Sequence, residues 1–304
     1  MQDTASDRKK LYLIFNIVAF ACVAALMAVA AFYDLALSKA VGDRSNLFGI
    51  FFEVVGESPS YLILPIASPI IFCNARNFDN KKIRITLRVV GALLGWIGYF
   101  VWMFSGSKPS KIDIPGNTVF AVFVGFVGGA FGLWVGSMVD KKVMDRLLKW
   151  AVFAIAVMLV SLVVNQILKL LWGRMRYRDM QAADNYDGFT PWYKVNIGNG
   201  KETYKSFPSG HTSSAANIFV IAVLCDIFPK WNKLRVRALV NGLCTLFVCV
   251  VAFSRIVNCA HFLSDTLAGG YITYLIFVIL RFAFFSKGKY VYEFKELSGE
   301  EQDS

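Results

Sequence analysis

Runs of about 20 predominantly apolar residues, each long enough to carry a helix through the core of a bilayer, recur along almost the whole of this 304-residue chain. The pattern predicts eight spans, at 11–37, 57–74, 87–105, 118–138, 150–172, 211–228, 238–254 and 262–284. The second is the weakest, short and interrupted by Pro65 and Pro69. Residues 46–56, NLFGIFFEVVG, are apolar but too short to cross, and predict an interfacial or re-entrant helix on the outer face. The longest polar segment, roughly 173–210, has no clear periodicity and is expected to be a loop held between two helices. The fold class is therefore all-α integral membrane protein, a polytopic bundle of about eight transmembrane helices.

Composition fits that reading, with 56 % apolar and 15 % aromatic residues, but a net charge of +11 invites a nucleic-acid partner until its placement is considered. With the N-terminus inside, 20 of the 32 Lys and Arg fall on the cytoplasmic side: Arg8 to Lys10, the loops from Arg76 to Arg88, Lys141 to Lys149 and Lys230 to Arg237, then Arg281, Lys287, Lys289 and Lys295. Only Lys39, Arg44, Lys108 and Lys111 lie in the two short opposite loops. This alternation is the positive-inside rule; it predicts cytoplasmic termini and removes the case for nucleic acid. The first span, far longer than a signal-peptide core, is expected to be retained. Eight basic residues escape the rule, and all fall on the outer side: Lys169, Arg174, Arg176, Arg178, Lys194, Lys201, Lys205 and Arg255.

The fourth span carries Gly125, Gly128, Gly129, Gly132 and Gly136, a small-x-x-x-small spacing that permits close helix packing or a homo-oligomer. The six cysteines lie in or at the ends of spans, form no C-x-x-C pair and read as small buried apolar residues. The segment 286–304 is expected to be a polar cytoplasmic tail. No N-x-[ST] acceptor occurs, which leans toward a bacterial plasma membrane.

Ionisable side chains near spans are costly and carry a functional hypothesis by default. Three clusters share the outer side. Lys169 to Arg178, KLLWGRMRYR, ends the fifth span; its bland reading is basic side chains snorkelling to headgroups, and Arg174 and Arg178 read either that way or as favouring a diphosphate or anionic headgroup. Phe207 to Ser214, FPSGHTSS, opens the sixth span, where a Ser-Gly pair entering a helix offers N–H groups and a hydroxyl to an anion, with His211 placed to hand over a proton. Ser254 to Asp265, SRIVNCAHFLSD, puts His261 and Asp265 four apart on one predicted helical face, so that the carboxylate can accept the imidazole N–H and leave the other ring nitrogen free as a nucleophile or base. A metal site would need more ligands, and the chain has no third histidine and no cysteine pair.

Together these clusters resemble the type 2 phosphatidic acid phosphatase family, whose signature is Lys-x6-Arg-Pro, Pro-Ser-Gly-His and Ser-Arg-x5-His-x3-Asp. This chain has Lys169-x6-Arg176, Pro208-Ser209-Gly210-His211 and Ser254-Arg255-x5-His261-x3-Asp265, in that order. The third motif alone arises by chance about once in a thousand such sequences. Tyr177 stands where the family has proline, which touches the local turn and not the charges. The resemblance covers roughly 118–285, leaving 1–117 as additional N-terminal transmembrane helices.

The resemblance implies a metal-independent hydrolase needing no cofactor, with its site on the extracytoplasmic face. His261 attacks phosphorus to form a phosphohistidine, Asp265 holds its tautomer, and His211 protonates the leaving oxygen; Lys169, Arg176, Arg255, Ser209 and Gly210 bind the phosphate. With His261 neutral and His211 charged at rest, turnover is expected to follow a bell-shaped pH profile between pH 5 and 8. The substrate class is a membrane lipid phosphate: phosphatidic acid, phosphatidylglycerol phosphate, undecaprenyl pyrophosphate or phosphorylated lipid A. Two rivals remain, a phosphotransferase using the same pocket and a transporter with a His/Asp proton relay.

Overall fold

The computed structural model describes residues 5–106, 117–197 and 200–285. The polar tail, with Lys287, Lys289 and Lys295, and the loop lysines Lys108 and Lys111 lie outside the described residues. The described residues form helices joined by loops, with no strand among them. In chain order they form α1 (Ala5–Val41), α2 (Leu47–Val55), α3 (Ser58–Tyr61), α4 (Ile63–Asn74), α5 (Lys81–Gly106), α6 (Asn117–Met138), α7 (Lys141–Trp172), α8 (Tyr177–Ala182), α9 (Gly210–Ala216), a 3-10 helix (Asn217–Val223), α10 (Leu224–Ile227), α11 (Leu234–Val257) and α12 (Leu263–Phe285).

Among them are eight segments long and apolar enough to cross a membrane, six of them single helices and two composite, Leu47–Asn77 and Gly210–Ile227. Eight such segments among the described residues make this a multi-pass membrane protein. Both composites depart from the expected pattern. The short apolar helix expected at 46–56 forms as α2, capped by Asn46 Oδ1 on the Phe48 N–H at 3.0 Å. It does not stand apart from the bundle: it packs on the end of α11, with Phe48 against Phe253 and Gly49 against Asn258. The sixth span is not one α-helix, because it tightens to 3-10 winding at Asn217, whose amide bonds Ser213 O and Ser60 Oγ, each at 3.4 Å.

Two groups of helices meet at α7. In the first, α1 lies against α11 and α12, and α9 fits between α7, α11 and α12. A core of Phe153, Phe219, Tyr274 and Phe277 fills this group. In the second, α4, α5 and α6 pack on one another. The glycines of α6 serve this second group: Gly125, Gly128 and Gly129 lie against Trp96 and Tyr99 of α5, and Gly136 against Pro69 of α4. Their close approach is thus made inside the chain.

The bundle has two distinct ends. At one, Arg281 of α12 and Arg237 of α11 share Asp226, and Arg281 stacks on Tyr12 near the start of α1. At the other, Asp34 of α1 meets the first turn of α12. The polar segment after α7 folds over this second end instead of trailing from it. It is pinned by Trp192 Nε1 to Met27 O at 3.0 Å, Asn196 N to Trp172 O at 3.0 Å, Ser206 N to Arg174 O at 3.0 Å and Arg176 N to Thr203 O at 2.8 Å.

Candidate active site

Helix ends place the reactive side chains. Asp140 caps α7 at its start, and Gly173 stops it in the left-handed conformation (φ 56°), its N–H returning to Lys169 O at 3.4 Å. Lys169 is thereby fixed in the last turn of α7, 9 % exposed, and the chain turns back so that Arg176 follows one layer on. Arg176 is the N-cap of α8, with Nε on Glu202 O at 2.9 Å and Nη2 3.6 Å from the Glu202 carboxylate. Lys205, hydrogen-bonded to that carboxyl, holds its pKa below the usual carboxylate value. Tyr177, standing where the family has proline, takes the first position of α8, where proline is also favoured. It is buried against Phe262, so the turn is kept and packed beneath the residue after His261.

The second motif enters α9. A Cβ at Gly210 would stand 3.2 Å from Lys169 Nζ, so the glycine lets that ammonium approach the helix start. Ser209 is engaged in the fold. Its hydroxyl is fully buried and caps α9, accepting from Thr212 N at 3.4 Å and Thr212 Oγ1 at 3.2 Å, while its N–H donates to Asp265 O at 2.8 Å. That last bond is possible because Gly269 leaves room: a Cβ there would come within 2.3 Å of Ser209 O. His211 faces two groups from the N-terminal helices, Nε2 at 3.3 Å from Glu53 O and Nδ1 at 3.7 Å from Glu57 Oε1.

The third motif closes the site. Arg255 sits in the last turn of α11, and its carbonyl accepts both Ala260 N at 3.0 Å and His261 N at 3.3 Å, tying the turn that holds His261 to the helix that holds Arg255. The helical face expected to carry both His261 and Asp265 is not what pairs them. Helix α12 begins at Leu263, two residues later, and a non-helical lead-in brings His261 Nδ1 to 3.6 Å from Asp265 Oδ2. That oxygen is already bonded by Ser206 Oγ at 2.5 Å and Phe262 N at 3.0 Å, and 3.6 Å is beyond a hydrogen bond. Burial pushes the His261 ring down to a pKa of about 3, partly offset by Asp265, so the ring is neutral at ordinary pH.

Lys169, Arg176, Gly210, His211, Arg255 and His261 line a single cavity of about 580 Å³. Arg178, Glu53, Glu57, Ser60 and Tyr61 share its wall, giving four cationic side chains against two carboxylates. Arg255 Nε and Nη1 and His261 Nδ1 are buried with no hydrogen-bond partner among the described residues. Buried guanidinium nitrogens without an acceptor are costly, and here two of them face a cavity already lined by three other cations. Arg174 behaves otherwise. Far from snorkelling to headgroups, it is 1 % exposed and bonded to Asp265 and Asp34 behind the cavity. Gly98 and Val101 of α5 and Leu159 and Leu162 of α7 also line the cavity, and the two leucines are half exposed.

Residues 150–288 match the PAP2 superfamily. All three motifs of the cavity lie inside that segment, and the match suggests phosphatase activity in a membrane protein, a hydrolase in general terms. No curated protein and no solved structure matches the chain. The PAP2 segment begins at α7, so α6, grouped with the motifs on sequence, lies outside it and packs on α4 and α5. Glu53, Glu57 and Asp34, which sequence reasoning did not single out, come from helices before the PAP2 segment. The signal for them existed: each is a lone carboxylate in or beside an apolar helical run.

Proposed function

We propose that the protein is a metal-independent phosphatase that hydrolyses a membrane lipid phosphate through a phosphohistidine on His261. The observation that carries the reading is the buried Arg255 guanidinium, whose Nε and Nη1 lack partners and which shares a cavity with Lys169, Arg176 and His261. Three cations around one nucleophile suit the equatorial oxygens of a transferring phosphoryl group, where catalysis is mainly positioning and charge stabilisation.

In the first step a ring nitrogen of His261 forms a bond to phosphorus, and the bond to the leaving oxygen breaks, that oxygen departing with a proton from His211. In the second, water gives its proton to His211 as its oxygen bonds to phosphorus, the N–P bond breaks and orthophosphate leaves. The surroundings of His211 support its role as the acid. The Glu53 carbonyl accepts from Nε2 at 3.3 Å, and the Glu57 carboxyl, 3.7 Å from Nδ1, is a charge close to the ring and not a hydrogen-bond partner. Asp265 supports His261 electrostatically at 3.6 Å.

The half-exposed apolar rim at Leu159 and Leu162 supports a substrate whose phosphate enters while its tail stays among lipids. The candidates remain phosphatidic acid, phosphatidylglycerol phosphate, undecaprenyl pyrophosphate and phosphorylated lipid A. The positive-inside pattern supports an extracytoplasmic site in a bacterial plasma membrane, since the cavity lies at the end of the bundle away from Arg237 and Arg281.

The test is orthophosphate release from this panel in detergent, with chelator present, from pH 4 to 9. Release from at least one lipid phosphate is expected, unaffected by chelator. The neutral His261 ring is the reactive form, present above a pKa of about 3 and lost below it, so no acid limb from His261 should appear between pH 5 and 8. Loss of activity with chelator would sink the mechanism.

A further inference from the structure

We propose that Asp34, from the first transmembrane helix and outside the PAP2 segment, is a positioning residue for the phosphate chemistry, acting on His261 through Arg174 and Asp265. The proposal rests on the phosphatase reading above. Asp34 and Arg174 are each 1 % exposed, deep in the end of the bundle beneath the cavity. Arg174 Nη1 donates to Asp265 Oδ1 at 2.7 Å and to Ser264 Oγ at 2.8 Å; Nη2 donates to Asp34 Oδ2 at 3.0 Å; Nε donates to Thr190 O at 2.8 Å. Phe262, the residue between the motif histidine and α12, lies under the guanidinium with its ring centre 4.2 Å away.

Asp34 also takes the start of α12. Its Oδ1 accepts Ser264 N at 3.0 Å and its Oδ2 accepts the Ser264 hydroxyl. Ser264 N–H belongs to the first turn of α12, whose donors have no intrahelical acceptor, so a carboxylate from another helix caps the turn that carries Asp265. Two carboxyl groups thus share one guanidinium, which Asp34 holds by Nη2 while Nη1 fixes Asp265 Oδ1. The other Asp265 oxygen, Oδ2, stands 3.6 Å from His261 Nδ1, and its placement sets how well the ring is supported when its nitrogen bonds phosphorus and gains positive charge. Without Asp34, neither the guanidinium nor the first turn of α12 would be held where Asp265 needs them.

The experiment is a double-mutant cycle on the full-length protein in detergent, using whichever lipid phosphate the wild type hydrolyses. Asp34→Asn keeps an oxygen for Ser264 N but removes the charge. It is expected to lower kcat by about 10- to 100-fold with KM changed by less than about threefold, and to lower nothing further in an Asp265→Asn background read by single-turnover release. Ser264→Ala removes the shared hydroxyl and leaves both charges. It should cost about three- to tenfold in kcat, again with no further loss in the Asp265→Asn background, and it decides the question if Asp34→Asn is not recovered folded. A kcat unchanged by the substitution, or a loss that multiplies with Asp265→Asn as a merely structural role would, overturns the proposal. Wild type that releases no phosphate, or His261→Ala that still does, overturns instead the phosphatase reading beneath it.

Discussion

Substituting His261 by alanine is expected to reduce phosphate release by at least about 10⁴-fold, the loss seen when a nucleophile is deleted and only binding and electrostatic stabilisation remain. Nothing nearby can replace it. His211, the only other histidine in the chain, lies on α9 against Glu53 and Glu57, and Asp265 is enclosed by Arg174, Ser206 and Phe262 N–H. Trapping the covalent intermediate separates loss of the nucleophile from loss of fold. Wild-type protein mixed with lipid phosphate labelled at the transferred phosphorus and quenched in alkali should retain label that acid removes, as a phosphoramidate does. The His261→Ala protein should retain none while melting near the wild-type temperature. Label of wild-type intensity on His261→Ala would refute the assignment.

Arg255→Gln is expected to separate activity from stability. Losing a preorganised cation at the transferring phosphoryl group should lower kcat/KM by about 10²- to 10³-fold, or roughly 3–4 kcal/mol of transition-state stabilisation. In the free protein, however, the Nε and Nη1 of this 2 %-exposed guanidinium have no acceptor, so replacing it with a neutral amide should leave the melting temperature unchanged or raise it. Orthophosphate or orthovanadate should then raise the melting temperature of the wild type and not of the variant, since a ligand stabilises only the form that binds it. A variant that melts lower than wild type and still gains stability from these anions would show that Arg255 serves the fold and not the phosphate.

The eight spans were legible because their period is set by bilayer thickness, and the three motifs because each keeps its chemistry within a dozen residues. Lys169, Arg176, Gly210, His211, Arg255 and His261 do line one cavity. Their local geometry was less legible. The sequence places His261 and Asp265 at helical spacing, yet the helix starts between them, and a lead-in tied to Arg255 O does the work the helix was expected to do. Ser209 reads as a phosphate ligand and is spent on capping, because a serine at a helix start has two competing uses for one hydroxyl. Arg174 reads as a headgroup anchor because its partners lie 140 and 91 residues away, on two helices whose approach no local pattern encodes. The walls given by Glu53, Glu57 and Tyr61 were hidden for the same reason, since tertiary packing brings α2 and α3 beside α9.

The half-exposed leucines of the cavity wall, Leu159 and Leu162, bear on how the protein would be measured. A substrate admitted there arrives by two-dimensional diffusion and never enters bulk water. Turnover would then obey surface-dilution kinetics. Adding inert phospholipid at a fixed total concentration of lipid phosphate should slow the reaction in proportion to the fall in mole fraction, whereas diluting the whole suspension should leave the rate per enzyme unchanged.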